Sequence, residues 1–195
     1  MKSIYDFVVK PKGSRYNNSK KVEGGNLIVN TDNEKFQHTN REAIVISTPI
    51  VNNTNIKTGD TVIVHHNIFR RWQDMKHAEK NSKSFFSEDK YFVNEDLIYA
   101  YNRGDGWKAL NNYCFIKPIK SIDKFDTDTE RPLMGVVKYS DDIEVGSLVG
   151  FLPKLEYEFV IDGQRLYRIQ YKFITIKYEY QGDEEEYNPS WAQSS

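Results

Sequence analysis

One cysteine, Cys114, stands in a chain of 195 residues. That excludes an intramolecular disulfide and any multi-cysteine metal site, and a reducing, cytoplasmic compartment is the simplest fit. No run of about 18 apolar residues occurs, so no membrane-spanning helix is expected. The opening Met1-Lys2-Ser3-Ile4-Tyr5-Asp6 has no apolar core of the kind a signal peptide needs. Neither charge sign is in excess: 27 Lys and Arg face 28 Asp and Glu, for a net charge of −1. A general nucleic-acid binder draws its phosphate affinity from a basic excess, so that class is disfavoured. Gly104-Asp105-Gly106 is too short for a phosphate loop and precedes no helical pattern. Alanine is scarce while Asn, Lys, Ile and Tyr abound, the skew of an AT-rich genome. What the chain does have is rings: 13 Tyr and 11 Phe lift the aromatic share to 14%, too rich for a disordered polymer.

Strand patterns dominate. Phe7-Val8-Val9-Lys10-Pro11, Ala43-Ile44-Val45-Ile46, Thr61-Val62-Ile63-Val64, Tyr91-Phe92-Val93 and Leu97 to Tyr101 are apolar or β-branched runs bounded by turn residues. Only Arg70 to Lys80 has a helical look, with Trp72, Met75 and Ala78 three residues apart. After a break at Asn102 to Gly106 the order restarts. Tyr113 to Pro118 mirrors Tyr5 to Pro11, and Met134 to Val137 stands for Ala43 to Ile46. Glu144 to Val149 echoes Lys57 to Val62, and Tyr167 to Ile169 and Phe173 to Ile176 echo the last two runs. Kept order with shrunken spacing points to an internal duplication. The stretch from Ser14 to Asn40 is long for a connection between strands, and such loops are usually functional or disordered. It is polar on both flanks, with Leu27-Ile28-Val29 in the middle; the corresponding Lys120 to Arg131 is short and polar.

In order, the first half shows Lys10-Pro11, Gly24-Gly25-Asn26-Leu27-Ile28-Val29, Arg41 to Val45, Lys57-Thr58-Gly59-Asp60-Thr61-Val62, and Asn94 to Ala100. This series resembles the chaperonin-10 family, the GroES-type co-chaperonins, over about 4–101 and more loosely over 113–178. The resemblance implies an all-β fold of two tandem GroES-like small, partly open β-barrels, at 1–103 and 107–181, the second with shortened loops. An acidic and polar tail, 182–195, is expected to be solvated and mobile. The family is a binding module, so no catalytic residue and no cofactor are implied. Its partner would be a GroEL-type chaperonin of the host. A mobile loop, 14–40, would engage that partner through Gly24, Gly25, Asn26, Leu27, Ile28 and Val29, disordered alone and ordered when bound. Family members form homo-oligomeric rings, most often heptamers, here by pairing Ile4 to Lys10 with Leu97 to Tyr101 of a neighbour. The reduced segment Thr48 to Lys57 resembles that of phage-encoded members, which would place the protein in the host cytoplasm. An insertion at 67–89 is foreign to the family. A virion structural or assembly protein built on the same barrel is the alternative.

Few residues offer other chemistry. His65-His66, with Asp74 and His77, is a weak metal set. Adjacent residues on a strand face opposite sides, so only one of the pair could face a given site. Asp60 and Glu95-Asp96 suit a turn and a cap better than acid–base work. Cys114 lies within an apolar strand as a small buried hydrophobe. Tyr91, Phe92, Tyr99, Tyr101, Tyr157, Phe159, Tyr167 and Tyr171 could form a stacking platform, but without basic excess they suit cores and contacts.

Overall fold

The computed structural model describes residues 2–16, 19–22, 25–28, 39–122, 129–179, 182 and 184–192, with 19–22 and 25–28 described by their backbone. The chain divides into two compact units, 1–107 and 108–195. Strands β1 (Phe7–Pro11), β2 (Ser19–Val22), β3 (Gly25–Ile28), β4 (Glu42–Ser47), β5 (Thr61–Val64) and β6 (Arg71–Gln73) open the order. There follow β7 (Glu79–Asn81), β8 (Phe85–Ser87), β9 (Lys90–Val93), β10 (Ile98–Asn102) and β11 (Trp107–Ala109). They form a sheet in the order β11-β10-β5-β4-β1-β9-β8, plus two separate hairpins, β2-β3 and β6-β7. Burial follows position. Alternate residues of β4 are buried, so one of its faces is covered, whereas Phe7, Val8 and Val9 of β1 are all buried.

The second unit contains β12 (Tyr113–Lys120), β13 (Glu130–Tyr139), β14 (Leu148–Phe151), β15 (Tyr157–Ile161), β16 (Gln164–Gln170) and β17 (Ile174–Lys177). Its sheet runs β15-β16-β12-β13-β14-β17. Cys114, Ile116, Val137, Val149, Phe151, Tyr167 and Ile169 pack as its core.

The two sheets share one frame. Taken in order, β10-β5-β4-β1-β9-β8 matches β17-β14-β13-β12-β16-β15 strand for strand. Register agrees too. Val9, Lys10 and Pro11 face Val45, Ile44 and Ala43, as Ile116, Lys117 and Pro118 face Val137, Val136 and Gly135. Both ladders slip at the same place, between Val8 and Val9 and between Phe115 and Ile116. Tyr91 lies opposite Val9, and Tyr167 opposite Ile116. Gly59 N donates to Val45 O at 2.8 Å, and Gly146 N to Val137 O at 2.8 Å. Both glycines have left-handed φ, +97° and +90°. The chain is therefore an internal structural repeat. The true register pairs Gly135 with Ala43, one residue away from the match of Met134 to Ala43 that the sequence invites.

One expectation holds in its coarser form, and two need correction. The architecture is all-β and antiparallel, but neither sheet closes into a barrel. Closure requires the two outer strands to bond each other, and here the first sheet ends on the three-residue strands β8 and β11. Arg70 to Lys80 is no helix. Asp74 turns the chain back at the head of β6-β7, and Met75 is fully exposed, so no core exists for a helical face to cover. Finally, the strands assigned to ring pairing are both interior. β1 lies between β4 and β9, and β10 between β5 and β11.

Candidate partner-binding site

The excursion from β1 to β4 leaves the first unit through a fastened root. Asn40 is buried; its Nδ2 donates to Lys12 O at 2.8 Å and Ser14 O at 2.9 Å, while its Oδ1 accepts from Glu42 N at 2.9 Å. Tyr16 and Thr39 close the neck as an antiparallel bridge. Beyond it, Gly25, Asn26, Leu27 and Ile28 form β3 and pair with Val22, Lys21, Lys20 and Ser19 of β2. Over 19–22 and 25–28 the backbone is thus a strand pair. Gly24 and Val29 lie outside the described residues.

The same root is tied to the 67–89 insertion. Arg15 Nη2 donates to Phe69 O at 3.2 Å and Asn81 Oδ1 at 2.9 Å. Arg71 N donates to Tyr16 Oη at 2.6 Å, and the Arg71 guanidinium lies 5.4 Å from the Tyr16 ring centre. Ile68 and Phe69 enter the core, where Phe69 meets Tyr91 edge-on at 4.8 Å. Arg15 lies over the Tyr91 ring at 5.3 Å. Burial lowers the Arg15 pKa and raises that of Tyr91.

The remaining candidates are structural in their contacts. Asp60 is buried beside Arg103, which donates through Nε and Nη2 at 2.9 Å each, while Lys57 N donates at 2.8 Å. Burial alone would raise its pKa; these hydrogen bonds outweigh it and hold the carboxyl below the usual range. Glu95 and Asp96 form a single 3-10 turn capped by Asn94, whose Oδ1 accepts from Asp96 N at 3.1 Å. Burial pushes the Cys114 thiol up to about 12, far from a nucleophile's range. His65 and His66 do not diverge to opposite faces: their rings stack at 4.1 Å, because β5 has ended at Val64. His65 Nδ1 accepts from Asn67 N, and His77 sits apart in the β6-β7 turn at φ +57°. Among the described residues no group of three or more His, Cys, Asp or Glu converges as metal ligands.

The tail is a feature that sequence reasoning missed. Residues 184–192 lie on the second unit instead of in solvent. Lys120 N donates to Glu185 O at 2.8 Å, and Tyr187 N to Pro118 O at 2.8 Å, so the tail extends the sheet beside the end of β12. Asn188 Oδ1 accepts from Lys117 Nζ at 2.7 Å and Arg165 N at 3.0 Å, and its Nδ2 donates to Gly163 O at 3.0 Å. Lys117 is left 2% exposed, and burial lowers its pKa to about 8. Arg165 donates to Glu158 at 2.6 Å, Glu130 at 2.5 Å and Tyr167 Oη at 2.5 Å. Burial, followed by the hydrogen bond to Glu130, raises the Tyr167 pKa. Glu130 and Arg165 line, with Thr129 and the tail's Tyr187, Pro189 and Trp191, a cavity of about 270 Å³. Asn188-Pro189 and a late Trp191 were the available signals: a turn former and a large ring in a segment otherwise read as solvated.

The chain matches no protein-family model. No curated protein matches it either.

Proposed function

We propose that the protein is a co-chaperonin-type binding module, not an enzyme: two tandem chaperonin-10-like units that cap a GroEL-type chaperonin of the host as a homo-oligomeric ring. One observation carries this reading. Only the first repeat carries a long segment between β1 and β4; its root is fastened by Asn40 and the Tyr16–Thr39 bridge, and it includes Gly25 to Ile28 paired with Ser19 to Val22. In the family that this sequence resembles, the partner-binding loop leaves the frame at that same point. The ATP chemistry would belong to the partner. Each loop would bind weakly, and several presented by one ring would bind tightly together. A phage origin and action in the host cytoplasm follow from the same resemblance.

The test is co-sedimentation with a GroEL-type chaperonin in the presence of nucleotide. Wild type is expected to sediment with it. Ile28→Asp is expected to lose binding while keeping its circular-dichroism spectrum, because a buried aliphatic anchor is worth about 1.5–3 kcal/mol per subunit. Undiminished binding by the folded variant rejects the loop as the anchor. A second reading, a virion structural or assembly protein, is favoured by an apolar cluster in the first unit. Ile50 N and Val51 N donate to Ser3 O and Ile4 O, which sets exposed Ile4, Tyr5, Ile50 and Val51 side by side. Recovery of the protein in purified virions, with no chaperonin binding, would favour that reading.

A further inference from the structure

One corner of the first unit displays apolar side chains that its frame does not require. Ser3 bridges Pro49 in parallel, Ile50 N donates to Ser3 O at 3.1 Å, and Val51 N donates to Ile4 O at 3.2 Å. Ser3 and Pro49 are buried, while Ile4, Tyr5, Ile50 and Val51 are 58%, 68%, 63% and 59% exposed. The far end of the segment is fastened as well. Ile56 is buried, its N donates to Thr54 Oγ1 at 3.2 Å, and Arg103 Nη2 donates to Asn55 O at 2.8 Å. The four exposed side chains thus stand on a held backbone. From Thr48 to Ile56 there is no charged residue, in a chain that is 28% charged.

The second repeat supplies the control. Counting back from Pro11 and Pro118, Asn111 and Asn112 stand where Ile4 and Tyr5 stand. Counting on from the equivalent Val45 and Val137, Asp141 and Asp142 take the places of Pro49 and Ile50. These two asparagines and two aspartates are all exposed. Ile143, at the place of Val51, is partly buried and packs against the core of its own unit. The same frame therefore folds with polar and acidic residues at this corner. In the first unit the apolar residues there return no burial within the chain, and a contiguous exposed patch of that kind marks a contact surface.

Area and chemistry select the occupant. Four large side chains at that exposure present about 500 Å², the order of the largest apolar patch on an ordinary monomer. A specific protein interface needs about 1,000 Å² in total, which two such patches supply face to face. A surface without charge is also complementary to itself, because neither copy leaves a buried charge unpaired. We infer that this corner is a two-fold contact between two copies of the chain, with Ile4, Tyr5, Ile50 and Val51 of one against the same four residues of the other. Such a contact is isologous and stops at two, whereas a ring is built by a head-to-tail contact between different surfaces. The inference therefore does not rest on the co-chaperonin reading: it doubles a single chain or a ring alike. At this size the contact is at the small end of specific interfaces, so the doubled form should dissociate on dilution.

The test is the mass of the full chain against concentration, by light scattering from micromolar to submillimolar protein. At the upper end wild type is expected to have twice the mass of Ile50→Asp, and dilution should bring the two together. Ile50 is exposed, so Ile50→Asp should keep the wild-type circular-dichroism spectrum. Tyr5→Asn, which installs the residue type of the second repeat, is the second variant and should also lower the mass. Asp142→Ser, at the equivalent corner of the second repeat, should leave it unchanged. Equal masses for wild type and both patch variants would overturn the inference, whatever the oligomeric state. So would a mass ratio other than two, or a loss of mass in Asp142→Ser. A wild type that never doubles but floats with phosphatidylcholine vesicles, leaving Ile50→Asp behind, would assign the patch to a bilayer and overturn it too. Co-sedimentation with a GroEL-type chaperonin separates the two readings. A protein that doubles without binding the chaperonin leaves this contact standing, and one that binds without doubling leaves only the co-chaperonin reading.

Discussion

The two repeats share a frame and differ in what completes it. Beyond the paired residues, the end of β1 and the start of β9 part company, as do the end of β12 and the start of β16. In the first repeat, Ile68 and Phe69 from the insertion pack into the core beside Tyr91, with Arg15 over the ring. In the second, the tail fills in beside β12, and Arg165 lies over Tyr167 at 4.9 Å. Equivalent tyrosines thus carry an arginine in both repeats, but each arginine comes from a different element. The first plug is apolar and internal to the chain. The second is a polar strap held through Asn188. A duplicated frame keeps its ladders because hydrogen-bond register tolerates little change, while whatever covers its open corner is free to diverge.

The largest effect should come from removing the apolar plug. Phe69 is fully buried, so Phe69→Ala is expected to cost about 3–5 kcal/mol. Hydrogen exchange should locate the loss in β1, β8 and β9 of the first repeat and leave 108–195 unchanged. Equal acceleration in both repeats would break the view that each plug serves its own frame.

The polar plug predicts a pH dependence instead. Lys117 has a folded pKa lowered to about 8 from an ordinary 10.5. Between those values the unfolded chain holds more protons than the folded one, so stability should rise with pH across that window and be flat below it. The shift corresponds to something on the order of 3 kcal/mol. Cys114, Tyr139 and Tyr167, all raised, pull the other way once their unfolded forms ionise. The measurement is therefore the difference between wild type and Lys117→Met in unfolding free energy, from pH 7 to 10. A difference constant with pH would show that Lys117 does not titrate in the folded tail-docked unit. The equivalent Lys10 is exposed.

How much of this was legible follows the range of each interaction. Lys10-Pro11 against Lys117-Pro118, and Gly59 against Gly146, are local signatures, and the repeat was readable from them. The one-residue slip at Gly135 was not. It is set by close approach across the ladder, where a Cβ would lie 2.4 Å from Lys117 O and 2.6 Å from Ile116 Cγ2. The hairpin at 71–81 was misread because a three-residue apolar spacing looks helical, while Asp74 as turn former gives a weaker signal. The tail was misread because its acidic composition predicts solvation, whereas its docking depends on Asn188 meeting Lys117 and Arg165 from far along the chain. Whether a sheet closes depends on its outer strands meeting, a long-range property that no local landmark carries.

The smallest effect offers the cleanest comparison between the repeats. Gly59 and Gly146 hold left-handed φ in equivalent turns, and a Cβ at either would meet nothing within 4 Å. Replacement by alanine should therefore cost only the backbone strain, about 1–2 kcal/mol. It should be the same in both repeats to within about 0.5 kcal/mol if the frames are energetically alike. Urea unfolding of Gly59→Ala and Gly146→Ala, with exchange to assign each loss to its repeat, measures the two costs. One asymmetry could separate them. Asp60 follows Gly59 and is latched by Arg103 and Lys57 N, while Ser147 follows Gly146 and has no carboxylate to offer. A latched turn has less room to relax around a new side chain, so any excess cost should fall on Gly59→Ala. If it does, Asp60→Ser in the Gly59→Ala background should bring the incremental cost of the alanine down to that of Gly146→Ala. If the excess falls on Gly146→Ala instead, backbone geometry alone does not set the strain, and the shared frame is a likeness of topology without a likeness of energy.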